Sequence, residues 1–223
     1  MSKKKPAVFS NVFQWVLLIA GGILLTFILL SFGLQRWIIF IIILVIYISV
    51  SAFRPMYIIY KTKSLRSIDR YVARNHKKPI FGYSYALAHG NERDIEESLK
   101  RIMNTYKQED MYDVYGSNLA LFQNDPKKLL EHVDNISSQE YKDYYSGFAY
   151  VMLGNFDRAN EFLGKLRTPW MIHALKAFAA LKRGSQEEFR QEADQSVSSA
   201  VGMQRYVLHH TLNRFETVGF AKA

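Results

Sequence analysis

The side chains that could do chemistry in this chain are six histidines and 20 carboxylates, with no cysteine among its 223 residues. The lack of a thiol removes cysteine nucleophiles, thiolate metal sites and disulfides together, and nothing in the chain demands an oxidising compartment. His76, His89, His132, His173, His209 and His210 are scattered, with no H-E-x-x-H pattern and no carboxylate at ligand spacing. Adjacent residues point to different sides of a helix, so His209 and His210 do not chelate one metal as an i, i+4 pair would, and the histidines read as solvated side chains. No P-loop, nucleophile elbow or dinucleotide glycine fingerprint is present. The acidic runs that start at Asn91 (NERDIEES) and Ser185 (SQEEFRQEAD) sit where helices begin, and there carboxylates favour the positive end of the helix dipole. The sequence therefore predicts a non-enzymatic chain with no catalytic residue, metal or cofactor.

The elements that frame these residues start with two uncharged apolar runs, Val12 to Leu34 and Trp37 to Phe53, with Gln35 and Arg36 between them. A bilayer core takes roughly 20 apolar helical residues, about 17 at the lower end, so both runs are long enough to span. The first run exceeds the apolar core of a signal peptide, is followed by no small-residue cleavage site, and leads straight into the second. A globular hairpin would show a polar face, and neither run contains Asp, Glu, Lys or Arg. The pair reads as a transmembrane helical hairpin. Gln14, Ser49 and Ser51 would lie at the same depth, where they could bond across the helices, and Gly21 and Gly22 would let the backbones approach.

Charge sets the orientation. Lys3, Lys4 and Lys5 precede the first run, and Arg54, Lys61, Lys63 and Arg66 follow the second, whereas the connecting turn holds only Arg36. The positive-inside rule then places both termini in the cytoplasm and the protein in the plasma membrane. The net charge of +9 would suggest nucleic acid if it were spread over a soluble domain. It is concentrated instead: residues 54–78 carry eight Lys or Arg against one acid, and residues 79–223 carry 17 against 19. Anionic lipid of the inner leaflet is the partner this pattern fits, and nucleic acid is not. Lys61, Lys63, Arg66, Arg70 and Arg74 form the basic side of a short amphipathic segment in which Leu65, Ile68 and Tyr71 or Val72 follow helical spacing. That segment either lies on the leaflet or packs its apolar stripe as the first helix of the domain that follows.

From Pro79 the chain repeats. The turn pairs Gly90-Asn91, Asn124-Asp125, Gly154-Asn155 and Gly184-Ser185 are separated by 34, 30 and 30 residues. Four residues after each pair comes Ile95, Leu129, Ala159 or Phe189, and four further on Leu99, Val133, Leu163 or Ala193. Each unit reads as a helix, a polar turn able to take a left-handed backbone, and a second helix. One such pair cannot bury its apolar face alone, so the units must stack.

This pattern resembles the tetratricopeptide repeat. The third unit is most similar, with Gly147, Tyr150, Gly154, Ala159 and Leu163 at the small, aromatic, turn, small and bulky positions. Tyr83, Ser117 and Ala177 replace its first glycine in the other units. The resemblance covers 79–199 and implies an α-solenoid of about four helix-turn-helix units there; with the transmembrane hairpin at 12–53 after a basic N-terminus (1–11), the basic juxtamembrane segment at 54–78 and a capping helix and tail at 200–223, the expected fold is all-α. The resemblance also implies that the first helix of each unit lines a concave groove. In that register Leu87, Met111, Val114, Asn118, Leu121, Tyr144, Phe148, Val151 and Phe178 make an apolar, partly aromatic surface that suits a peptide or amphipathic helix. The alternative is that short units close up and bury these residues as core.

The function expected from the sequence is that of a membrane-anchored cytosolic scaffold that recruits a protein partner at the inner membrane face, with self-association open. Absence of cysteine with heavy Ile, Lys and Tyr use resembles low-GC Gram-positive bacteria, in which such auxiliary proteins serve envelope assembly, including cell-wall and teichoic-acid synthesis. A regulatory subunit acting on a transporter or protease complex through the membrane helices is the alternative.

Overall fold

The structure is a computed structural model that describes residues 7–218. Twelve helices are present and no strand occurs among the described residues, so the chain is all-α. Packing divides it into two units, Met1–Met56 and Tyr57–Ala223.

The first unit contains helix α1 (Ala7–Ser31) and most of α2 (Arg36–Tyr60). Gly33, at φ 74°, ends α1 in the left-handed conformation that only glycine takes without strain, and its amide bonds to the Leu30 carbonyl at 3.0 Å. Among the described residues one helix, α2, is long and apolar enough to cross a membrane, and α1 contributes a shorter apolar stretch, Ile19–Ser31. Helix α2 does not stop at Phe53, where the apolar run was expected to end; it continues through Pro55 to Tyr60. Pro55 forfeits one backbone bond of the helix, yet the apolar residues Tyr57, Ile58 and Ile59 carry it on.

The second unit is built from consecutive helix pairs. Helix α3 (Leu65–Asn75) begins at Ser64, whose side chain accepts from the Ser67 amide. It packs on α4 (Pro79–His89), and α4 then pairs with α5 (Glu92–Thr105), α6 (Glu109–Phe122) with α7 (Pro126–Asn135), α8 (Gln139–Met152) with α9 (Phe156–Leu163), and α10 (Pro169–Lys182) with α11 (Gln186–Ser199). Helices α6, α8 and α10 also touch in succession.

The turn chemistry explains these pairings. Asn124 (φ 52°), Gly154 (φ 74°) and Gly184 (φ 81°) take the left-handed backbone. In each case the next amide bonds back to the carbonyl five residues earlier: Asp125 to Ala120, Asn155 to Tyr150 and Ser185 to Ala180, all at 2.9 Å. Asp125 and Asn155 then cap the following helix by accepting from the amides of Lys128 and Arg158. The first turn differs. Gly90 is extended, at φ −92°, and Asn91 and Asp94 exchange backbone bonds as a reciprocal cap instead.

Ile95, Leu129, Ala159 and Phe189, the residues four positions beyond each turn, are all buried. At Gly147 a Cβ would lie 2.5 Å from Leu175 Cδ2, so the small residue lets α8 approach α10.

The last helix, α12 (Gly202–Val218), packs on α10 and α11 and also on α3 and α4. It therefore joins the first and last helix pairs. Tyr206, Leu208, Leu212 and Phe215 are buried along it, each worth about 1.5–3 kcal/mol of burial. This bridging was not foreseen from the sequence.

Candidate functional site

Three features of the described residues have the geometry to do something beyond holding the fold: an apolar helix surface, a basic face and a partly open cavity.

The apolar surface belongs to α2. Trp37, Phe40, Val45, Tyr47, Ile48 and Phe53 are all exposed on it, and only 6% of its most apolar 18-residue window is buried. Interhelical contact expected in this unit is not what the structure places there. A Cβ at Gly21 or Gly22 would meet nothing within 4 Å, and Ser49 and Ser51 are exposed, so among the described residues these positions are not brought together. The side chain of Gln14 lies outside the described residues.

The basic face is that of α3 and the segment before it. Lys61, Lys63, Arg66, Arg70 and Arg74 are exposed, and none joins an ion pair among the described residues. Ile68 and Val72 are fully buried against Tyr206, with Ile58, Leu65 and Phe81 packed around them. Of the two readings of this amphipathic segment, the apolar stripe thus serves as domain core and cannot also lie in a leaflet. The cations remain free to face one.

Most of the residues expected to line a groove along α4, α6, α8 and α10 are buried. Leu87, Leu121, Tyr144, Phe148, Val151 and Phe178 are buried, while Met111, Val114 and Asn118 are half-buried. The reason is α12, whose apolar face supplies the surface that a peptide would otherwise provide. Phe215 meets Phe178 and Phe122 at ring separations of 5.4 and 6.0 Å. What remains of the groove is a cavity of 270 Å³ between α12 and the first helices of the pairs. Its wall includes Tyr83, Tyr115, Tyr141, Tyr144 and Tyr145, with Trp170 and Phe148. Burial raises the phenols of Tyr83, Tyr144 and Tyr145 well above their usual value and pushes Tyr115 up to about 12, so they stay neutral.

Polar contacts fix α12 in place. The Tyr206 hydroxyl donates to Asp69 Oδ1 at 2.7 Å, and His89 Nε2 bonds to the same oxygen at 2.8 Å. Burial alone would raise the Asp69 carboxyl; the bonds from Tyr206 and His89, with the charge of His89 and His210 nearby, hold it below its usual value. Arg214 donates to the carbonyls of Leu87 (2.7 Å), Ala86 (3.2 Å) and Gly90, satisfying the C-terminal end of α4. At its start, the Gly202 amide bonds to the Thr62 carbonyl at 2.8 Å.

The histidines are not uniformly solvated, as the sequence suggested. His89 pairs with Asp69, His132 Nδ1 with Asp113 (2.8 Å) and His173 Nδ1 with Glu192 (2.6 Å), each across two helices. Sequence separations of 20, 19 and 19 residues hid these bonds, because each pairing depends on how two helices lie together. Among the described residues no cluster of three or more His, Asp or Glu is placed to hold a metal.

The chain matches no protein-family model, no curated protein and no solved structure.

Proposed function

We propose that this chain is a membrane-anchored adapter: α1 and α2 form a two-span hairpin, both termini are cytoplasmic, and the helices from α3 onward form a tetratricopeptide-like solenoid that holds a protein partner at the inner membrane face. The observation that carries this reading is the exposed apolar surface of α2. A helix of 25 residues is about 37 Å long, enough for a hydrocarbon core of about 30 Å. Contiguous apolar surface of that extent is not left to water in a stable protein.

The uncompensated cations of Lys61, Lys63, Arg66, Arg70 and Arg74 follow directly and suit anionic headgroups, each worth about 1 kcal/mol near such a surface. Anchoring confines the helical unit to two dimensions and raises its effective concentration toward other membrane proteins. With the concave face taken by α12, the partner docks on the outer helix surfaces, where Tyr112 and Leu153 are exposed. Bacterial envelope assembly, including cell-wall or teichoic-acid synthesis, is the process in which we place it.

One contact favours a second reading, that of a regulatory subunit of a transporter or protease complex acting through its membrane helices. The bond from Gly202 to Thr62 ties the start of α12 to the segment that follows α2.

A photocrosslinking residue at Leu153 or at Phe53, in the full chain in intact membranes, separates the two. Capture of one protein from Leu153 supports the adapter. Capture from Phe53 alone supports the regulatory subunit. Recovery of only the chain itself from both positions overturns the adapter.

A further inference from the structure

The cavity beneath α12 has no role in the adapter reading and can be judged apart from it. Its volume is 270 Å³, and its 21 lining residues come from α4, α6, α8, α10 and α12. None of them is Asp, Glu, Lys, Arg or His. Taking a formal charge into such a wall without a counter-ion costs several kcal/mol, so the site selects against ions.

Its size selects further. Small-molecule pockets start at about 300 Å³, close to what is present.

The polar groups say what a fitting molecule carries. Tyr144 is 7% exposed, and its hydroxyl makes no hydrogen bond among the described residues. Asn118 donates its amide to the Val114 carbonyl and to the Tyr145 hydroxyl, both at 3.0 Å, which leaves its own oxygen out of those bonds. The Tyr144 phenol is kept neutral by burial and is a donor throughout the physiological range. Around these groups the wall is aromatic and aliphatic: Trp170 lies 5.5 Å from Tyr144, ring to ring, and Phe148 lies 4.8 Å from it.

We infer that this cavity is a binding site for an uncharged small molecule with an aromatic or aliphatic body and a hydrogen-bond-accepting oxygen. The body stacks among Tyr144, Phe148 and Trp170, and the oxygen accepts from Tyr144. The competing content is water alone, about nine molecules at roughly 30 Å³ each.

The test uses the full chain in lipid nanodiscs with Trp15→Phe and Trp37→Phe, which leaves Trp170 as the sole tryptophan of three. Methyl benzoate is the neutral probe and benzoate its charged counterpart. Methyl benzoate is expected to change Trp170 emission saturably, with benzoate at least tenfold weaker. Ala174→Phe, which fills the cavity, removes the saturable response, and Tyr144→Phe weakens it several-fold. A response that only rises linearly, as in empty nanodiscs, overturns the inference, as does equal binding of benzoate. If Ala174→Phe does not fold, Tyr144→Phe decides: an unchanged affinity there overturns the site.

Discussion

The Tyr206 hydroxyl donates to Asp69 Oδ1 at 2.7 Å across 137 residues of sequence, and so ties the last described helix to the first helix of its unit. That bond, with the Arg214 contacts to the end of α4, makes α12 a structural brace across the array and not merely an end cap.

Replacing Tyr206 with Phe keeps the ring and removes the donor. A hydrogen bond to a charged group is worth about 1.5–3 kcal/mol, so Tyr206→Phe should destabilise the helical unit by about that amount in denaturant unfolding of the full chain. The Asp69 carboxyl is held below its usual value in the folded state, so its stabilisation is present above the unfolded pKa of about 3.9 and is lost as pH falls through the lower folded value. The cost of Tyr206→Phe should therefore shrink in strong acid.

Gly202 has φ 57°, and a Cβ there would lie within van der Waals overlap of the Ile59 carbonyl oxygen. The left-handed backbone alone costs a non-glycine residue about 1–2 kcal/mol, and the overlap adds to it. Gly202→Ala should lower the melting temperature by several degrees and detach the start of α12, which faster hydrogen exchange at the Gly202 and Met203 amides would report. An unchanged exchange rate at those amides would mean that the contact with the segment after α2 does not hold the helix.

His210 should make the brace sensitive to acid. Burial, then the neighbouring His209 and His89, push its pKa down to about 4, against about 6.5 when unfolded; Arg214 acts in the same direction and Asp69 opposes. The folded state thus excludes a proton that the unfolded state binds. This contribution is complete above about pH 6.5 and declines as pH falls toward about 4. Thermal melting from pH 7.5 to 4.5 should show stability falling over that window, with a flatter dependence in His210→Gln. Equal slopes in the two chains would remove His210 from the account.

The sequence made the helix pairs legible because their signals are local. A left-handed residue marks each of the later turns, a capping side chain follows it at Asp125 and Asn155, and apolar residues four and eight positions on mark the buried face, as Leu129 and Val133 illustrate. Gly90 was grouped with the other turns on residue type, yet it is extended, because Asn91 and Asp94 build a different cap. Burial of the groove residues was one of the two readings the sequence left open, but that α12 would cover them was not legible. Nothing near Tyr206 or Phe215 in the sequence says that they meet Asp69 or Phe178, and such a contact depends on how helices far apart in sequence lie together. The cavity shares that origin, since its wall joins residues from Ile80 to Phe215. The histidine pairs were missed because a lone histidine carries no mark of its partner on a neighbouring helix.

The central claim, that α1 and α2 form a membrane hairpin with the helical unit on the cytoplasmic side, is tested most directly by cysteine labelling. The chain has no cysteine of its own, so each one introduced is unique. Phe32→Cys lies in the exposed turn after α1, and Leu153→Cys lies on the exposed end of α8. A membrane-impermeant maleimide applied to intact cells should label Phe32→Cys and leave Leu153→Cys unlabelled until the cells are lysed. Labelling of Leu153→Cys in intact cells, or recovery of the chain in the soluble fraction without detergent, would contradict the account.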